Sequence, residues 1–198
     1  MNEQQVTDLI LQSLEHEKGG VLVYETALKC VQNKDLAGEW KKYLDQTRGH
    51  VEILETVCAS LSLDPDQEIP SRKIVRALGQ ALVTAMEEAS KGGNPDAAEL
   101  VACECIVLAE TKDHLDWELI SRCAEHSKGT MKKVLKQAAE EVEDQEDEHL
   151  YHTKGWCREL WIQALGMQAV LPPLEEEKEV KTAIGAARAE QAADKERQ

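Results

Sequence analysis

Phenylalanine is absent from this chain of 198 residues, and aromatic side chains make up only 4% of it. Because β-strands rely on β-branched and aromatic residues, this composition argues against a sheet protein. Proline is also scarce, whereas alanine, leucine, glutamate and lysine, which favour helices, are plentiful. The composition therefore predicts an all-α protein, and the length suits a single domain with its own core.

Positive charge is in short supply as well, because the net charge at pH 7 is −15. Such a chain has little electrostatic attraction to nucleic acids or to anionic membranes. No apolar run approaches the roughly 18 residues that a membrane span requires. The first residues also lack the basic and then apolar order of a signal peptide. We therefore expect no nucleic-acid partner and no membrane partner.

Pairs of the type Cys-x-x-Cys are missing, although the chain contains six cysteines. Zinc ribbons and rubredoxin-type iron centres need such pairs, so the sequence disfavours both. Scattered single cysteines are typical of small buried residues in a reducing compartment, which favours a cytoplasmic location.

Four long segments carry apolar residues at alternating steps of four and three, as helices of a bundle do. The predicted helices cover about residues 7–32, 36–62, 95–125 and 130–167, with Thr7 and Thr130 as N-caps. A shorter helix at about 72–90 would make the long connection that a parallel third helix needs. The sequence thus predicts an antiparallel four-helix bundle with a helical crossover over residues 1–168. Residues 169–198 form a charged Ala/Glu-rich tail, expected to be flexible or ordered by a partner.

Five ionisable side chains lie on these otherwise apolar seams: Glu17, His50, Glu104, Glu146 and His149. Glu146 and His149 are three residues apart and stand side by side on a helix. Glu17 and His50 are equally far from the first connection, so an antiparallel hairpin sets them at one height. Because burying an uncompensated charge is costly, we predict that the five groups converge on a metal ion. The alternative is an acidic bundle whose polar layer only fixes the register of the helices.

Further polar residues lie close to this set. Glu110 and His114 are four residues apart and could bind a metal, but a surface pair is the favoured interpretation. Gln46 and Glu52 are near His50 in sequence and lie off the inferred seam.

At these residues the chain resembles the ferritin-like superfamily, which includes ferritins, bacterioferritins and rubrerythrins. The residues that carry the resemblance are Glu17 and Tyr24, seven apart on the first helix, then His50, Glu104 and the Glu146-x-x-His149 pair. The resemblance covers about residues 5–168 and includes no rubredoxin domain. It implies a di-iron or di-manganese carboxylate site with Tyr24 beside it.

One position departs from that family. Thr47 stands where the second helix of the family has a glutamate three residues before its histidine. Glu17, Glu104 and Glu146 supply three negative charges, whereas two divalent ions bring four positive ones. The sequence leaves open a single ion, an unequal pair of ions or a replacement ligand. Thr47 itself is expected to lie next to the ligands without binding an ion.

The resemblance implies a non-haem iron or manganese protein with oxidase, ferroxidase or peroxidase-like chemistry toward dioxygen or peroxide. Without a rubredoxin-type centre, the electron donor would be a separate protein or a small molecule. A homodimer or a higher homo-oligomer is expected. A second hypothesis, favoured by Thr47, is a non-catalytic metal-binding or interaction bundle with a degenerate site. Iron storage is a third, and would require a closed shell of many subunits.

Overall fold

The computed structural model describes residues 1–167, and this part of the chain folds into five α-helices. They are α1 (Glu3–Cys30), α2 (Lys34–Ser60), α3 (Pro70–Lys91), α4 (Pro95–His126) and α5 (Gly129–Ala164). No strand occurs among these residues, which confirms the predicted all-α class. The predicted tail at 169–198 lies outside the described residues.

Asparagine side chains begin three of the helices. Asn2, Asn33 and Asn94 each accept hydrogen bonds from backbone N–H groups in the first turn of α1, α2 and α4. A capping side chain satisfies donors that have no partner inside the helix. The predicted N-cap at Thr7 is wrong, because Asn2 starts α1 one turn earlier. Thr130 does not cap α5 either, since that helix already begins at residue 129.

The helices of the first hairpin run antiparallel. Lys18 pairs with Glu55 at 3.0 Å and Glu25 with Arg48 at 2.9 Å, so residues earlier in α1 meet residues later in α2. Long-range contacts likewise set α5 antiparallel to α2, and α4 antiparallel to both α1 and α5. Consequently α2 and α4 point the same way, and α3 lies between them in the chain.

An arginine buried at the start of α3 ties this helix to α1. Arg72 is 3% exposed and donates to Glu15 at 2.7 and 3.0 Å. It also donates to the carbonyl oxygens of Pro65 and Gln67 in the preceding loop. Arg76 adds two further hydrogen bonds to Glu15, and the two guanidinium groups together lower the pKa of that carboxyl. α3 thereby packs against α1, and its other contact is with α4.

The apolar core consists of two separate clusters. One surrounds Trp40 and Trp156, and the other surrounds Leu14, Leu54 and Ile120. On α1, α2, α4 and α5 alike, the residues between the part in one cluster and the part in the other include buried polar side chains. A polar layer therefore divides the core.

The seam predicted for α4 is wrong. Leu108 and Leu115, which belong to the predicted seam, are 62% and 50% exposed. The buried side of α4 has the same alternation of three and four, and consists of Cys103, Ile106, Glu110, Asp113, Trp117, Ile120 and Ala124. A two-residue shift turns a helix by about 200°, so the two seams lie on opposite faces.

None of the helices within residues 1–167 combines the length and the apolar character needed to cross a membrane. All six cysteines fall within this part of the chain, and each has a free thiol. Four of them are buried, as expected of cysteines that act as small apolar residues.

Candidate metal centre

Six ionisable side chains make up the centre of the polar layer, and none is more than 5% exposed. They are Glu17 of α1, His50 of α2, Glu110 and Asp113 of α4, and Glu146 and His149 of α5. The structure thus brings together four of the five predicted ligands and adds two residues from α4. The fifth, Glu104, is not among them.

Ligand atoms of these residues fall into two groups, and within each group all of them lie within 4.8 Å of one another. The first site consists of Glu17, His50, Asp113 and Glu146. The second site consists of Glu110, Glu146 and His149. Glu146 belongs to both, so the two sites are adjacent and share one carboxylate.

The two imidazoles face the shared carboxylate with the same ring atom. Nδ1 of His50 lies 3.2 Å from Oε1 of Glu146 and 3.3 Å from Oε1 of Glu17. Nδ1 of His149 lies 3.5 Å from the same oxygen of Glu146 and 3.5 Å from Oε2 of Glu110. Each histidine therefore stands between Glu146 and one further glutamate of its own site.

Two glutamines orient these imidazoles in a crossed arrangement. Oε1 of Gln145 on α5 lies 3.1 Å from Nε2 of His50 on α2, and Oε1 of Gln46 on α2 lies 3.0 Å from Nε2 of His149 on α5. Each glutamine comes four residues before the histidine of its own helix and meets the histidine of the other. An amide oxygen accepts a hydrogen bond from the N–H at Nε2, which leaves the lone pair of Nδ1 for a cation.

Trp117 holds Glu17 in position. Its indole N–H donates to Oε1 of Glu17 at 2.7 Å, and its ring packs edge-on to the ring of His50 at 5.9 Å. The hydrogen bond leaves the second oxygen of Glu17 for the first site.

Seven of the atoms that could bind a metal ion in the two sites have no hydrogen-bond partner among the described residues. They are Oε2 of Glu17, Nδ1 of His50, Oε2 of Glu110, Oδ1 of Asp113, both carboxylate oxygens of Glu146, and Nδ1 of His149. Buried polar atoms are almost always satisfied in folded proteins, so seven exceptions at one place call for an explanation. Carboxylate oxygens with imidazole nitrogens are a donor set that suits iron and manganese.

The protonation of this cluster also reflects its burial. Burial and the carboxylates of Glu146 and Glu17 raise the pKa of Asp113 well above its usual range. Burial raises the pKa of Glu146 to about 7, although the nearby imidazole of His50 opposes the shift. Burial lowers the pKa of His50, but the close carboxylates of Glu146 and Glu17 outweigh it and raise that pKa to about 10. Without a cation, the layer therefore compensates its carboxylates with protons.

The prediction that Glu104 is a metal ligand is wrong, because the structure places it on the exposed face of α4. Its carboxylate accepts a hydrogen bond from the indole of Trp161 at 3.0 Å, away from both sites. The surface pair predicted for Glu110 and His114 is also wrong. Glu110 is 4% exposed and faces His149, whereas His114 lies 3.4 Å from Asp147.

The two residues expected behind the ligands are both buried next to the layer. The ring of Tyr24 lies 6.2 Å from that of His149, and burial together with the nearby Glu110 raises the pKa of the phenol. Thr47 is 3% exposed and supplies no carboxylate. Of the two neighbours considered, Gln46 contacts His149, as described above, and Glu52 is exposed.

Asp113 brings the number of carboxylates in the two sites to four. The carboxylates of the two sites are Glu17, Glu110, Asp113 and Glu146, which together carry four negative charges when ionised. This charge balances two divalent ions, whereas the three glutamates expected from the sequence would not.

A comparison of the chain with protein-family models, with curated proteins and with solved structures finds no match.

Proposed function

We propose that this chain is a ferritin-like protein that binds two divalent ions of iron or manganese in its polar layer. In this proposal α1, α2, α4 and α5 form an antiparallel four-helix bundle, and α3 is the crossover between the parallel helices α2 and α4. The helix directions support this architecture, and so does the position of the polar layer between two apolar clusters.

The observation that carries the proposal is the environment of Glu146. Both its oxygens are buried and unpartnered, and it is common to two groups of ligand atoms from four helices. A carboxylate in that position can be shared by two ions. If the polar layer only fixed the register of the helices, its side chains would be expected to form hydrogen bonds with one another, as buried polar networks generally do.

The two sites would have different tasks. The first site offers Glu17, His50 and Asp113 beside the shared glutamate, and the second offers Glu110 and His149. With fewer protein donors, the second ion would keep more positions for a small molecule. Bound iron or manganese would supply electron transfer to dioxygen or peroxide. The protein residues would hold the ions, exclude bulk water and fix the tautomers of both histidines.

A second candidate is a metal-binding or interaction bundle without catalysis. It is favoured by the ion pairs that His50 makes with Glu17 and Glu146 at 3.3 and 3.2 Å. A protonated His50 partly compensates the layer, so the fold can persist without a resident redox metal.

The test begins with metal analysis of protein from cells supplied with iron and manganese, followed by anaerobic titration with ferrous iron. We expect two ions per chain, and the near-ultraviolet absorption of oxidised iron after dioxygen or peroxide is added. Glu146→Gln should bind fewer ions. Glu104→Gln removes a carboxylate outside the sites and serves as the matched control.

Three outcomes separate the candidates. A wild-type chain that binds neither metal would overturn the proposal, and so would a Glu146→Gln variant that matches Glu104→Gln in every measurement. Two bound ions that neither dioxygen nor peroxide oxidises would favour the non-catalytic candidate.

A further inference from the structure

A cavity of about 290 Å³ lies between α4 and α5 and reaches the first site from outside. Its wall includes Trp117, Glu118, Arg122, Glu143, Glu146 and Asp147. Trp117 holds Glu17 by a hydrogen bond, and Glu146 is the shared carboxylate. The cavity wall therefore includes one ligand of the first site, Glu146, and the residue that positions another, Trp117.

Acidic side chains dominate the wall. Arg122 pairs with Glu125 at 3.2 Å, and His114, also in the wall, lies 3.4 Å from Asp147. Glu118 and Glu143 are exposed, and neither has a cationic partner within residues 1–167. These two carboxylates are thus available to a cation in solution.

An acidic surface alone would indicate only a solvated helix face. Here the wall also includes Glu146, which is 1% exposed and whose two carboxylate oxygens have no hydrogen-bond partner among the described residues. A buried carboxylate of this kind in the wall of an acidic cavity is a destination for a cation. The same wall thus contains exposed carboxylates and a buried one.

We infer that a hydrated divalent cation enters the first site through this cavity, guided by Glu118 and Glu143. The inference rests on the proposed function. Wall charges of one sign raise the local concentration of the opposite ion and so increase its association rate. Because the rim carboxylates do not belong to either site, they affect the rate of entry and not the final ligand set.

The inference is tested with cobalt(II), whose visible absorption changes when nitrogen and oxygen ligands bind it and which is stable in air. Stopped-flow mixing with the metal-free chain measures the association rate at low and high salt. The test variant is Glu118→Gln with Glu143→Gln. The matched control is Glu52→Gln with Glu141→Gln, which removes two exposed carboxylates from a different groove between α2 and α5.

We expect the test variant to bind cobalt about fivefold more slowly than wild type at low salt. Its final spectrum and number of ions should be those of wild type. The difference should shrink at high salt, where screening weakens the field. The control variant should lose much less of the rate.

Equal rates in the test and control variants, with cobalt binding intact, would overturn this route and leave the proposed function standing. A wild-type chain that binds no cobalt, iron or manganese would overturn the proposed function itself. A test variant with an altered final spectrum would place the rim residues among the ligands, which also contradicts the inference.

Discussion

A β-carbon placed on Gly20 of α1 would lie 3.3 Å from the methyl carbon of Thr47 on α2. This contact adjoins the polar layer, because Glu17 precedes Gly20 by one turn and His50 follows Thr47 by one turn. The small residue at position 20 therefore allows α1 and α2 to approach each other where their ligands meet.

Replacing the two neighbouring glycines of α1 should give different changes in stability. Gly19→Ala meets nothing within 4 Å, so it should raise the free energy of unfolding by about 1 kcal/mol through helix propensity. Gly20→Ala gains the same propensity but must displace Thr47. We expect a clearly smaller gain, or a loss, in urea unfolding of the metal-free protein. Equal gains would show that the contact between α1 and α2 is not tight.

Asp113 should be essential for the first ion. Asp113→Asn removes one of four carboxylates, and we expect the number of bound ions to fall from two to one by titration and metal analysis. Adding Thr47→Glu in the same chain returns a fourth carboxylate to the layer and should restore the binding of two ions. If Asp113→Asn still binds two ions with the affinity of wild type, Asp113 does not compensate for Thr47.

The stability of the metal-free protein should fall as the pH rises from 5 to 8. Burial raises the pKa of Glu146 from 4.5 to about 7. A carboxyl with a raised pKa stabilises the fold fully below about 4.5 and loses that contribution as the pH passes about 7. Asp113 acts in the same direction. Glu146 alone should account for a loss of about 3 kcal/mol, measured by urea unfolding with a chelator present.

Glu146→Gln is the control for this pH dependence, because its neutral amide should remove much of the fall. Added cobalt or manganese should reverse the slope, since a bound cation displaces the protons. A chelated wild-type chain that becomes more stable between pH 5 and 8 would contradict the raised pKa of Glu146.

The crossed glutamines should each affect mainly one ion. Gln46→Ala removes the acceptor of His149 and should weaken binding at the second site by about tenfold to a hundredfold. Gln145→Ala should do the same at the first site through His50. Isothermal titration resolves the two affinities, and Gln137→Ala, exposed on α5, is the control. Equal effects of Gln46→Ala and Gln137→Ala would show that the hydrogen bond to His149 does not support metal binding.

The helical class and most of the polar layer could be predicted from the sequence. On three of the helices, the spacing of apolar residues indicates only one buried face. On α1, α2 and α5 the residues in phase with Glu17, His50 and Glu146 are mainly large and apolar. Chain connectivity then sets the depth of each group, since an antiparallel hairpin pairs positions at equal distance from its turn. These residues are accordingly brought together in the structure.

The contribution of α4 could not be predicted in this way. Leu108 and Leu115 indicate one seam, whereas the buried seam at this depth contains Glu110 and Asp113, which periodicity alone counts as surface. The sequence did contain a signal for the buried seam, because Ile106, Glu110, Asp113 and Trp117 follow one another at steps of four, three and four. Choosing between the two seams requires the other helices, because only their packing decides which face of α4 is buried.

This pair of opposite seams makes α4 a locally frustrated helix. Rotating it by about half a turn about its axis would bury Leu108 and Leu115 and carry Glu110 and Asp113 into water. The same rotation would expose Ile106, Trp117 and Ile120, none of which is more than 3% exposed, so hydrophobic burial favours the native orientation. Apolar packing at both ends of α4 thus forces two acids into the interior, where a cation would lower the cost of their burial.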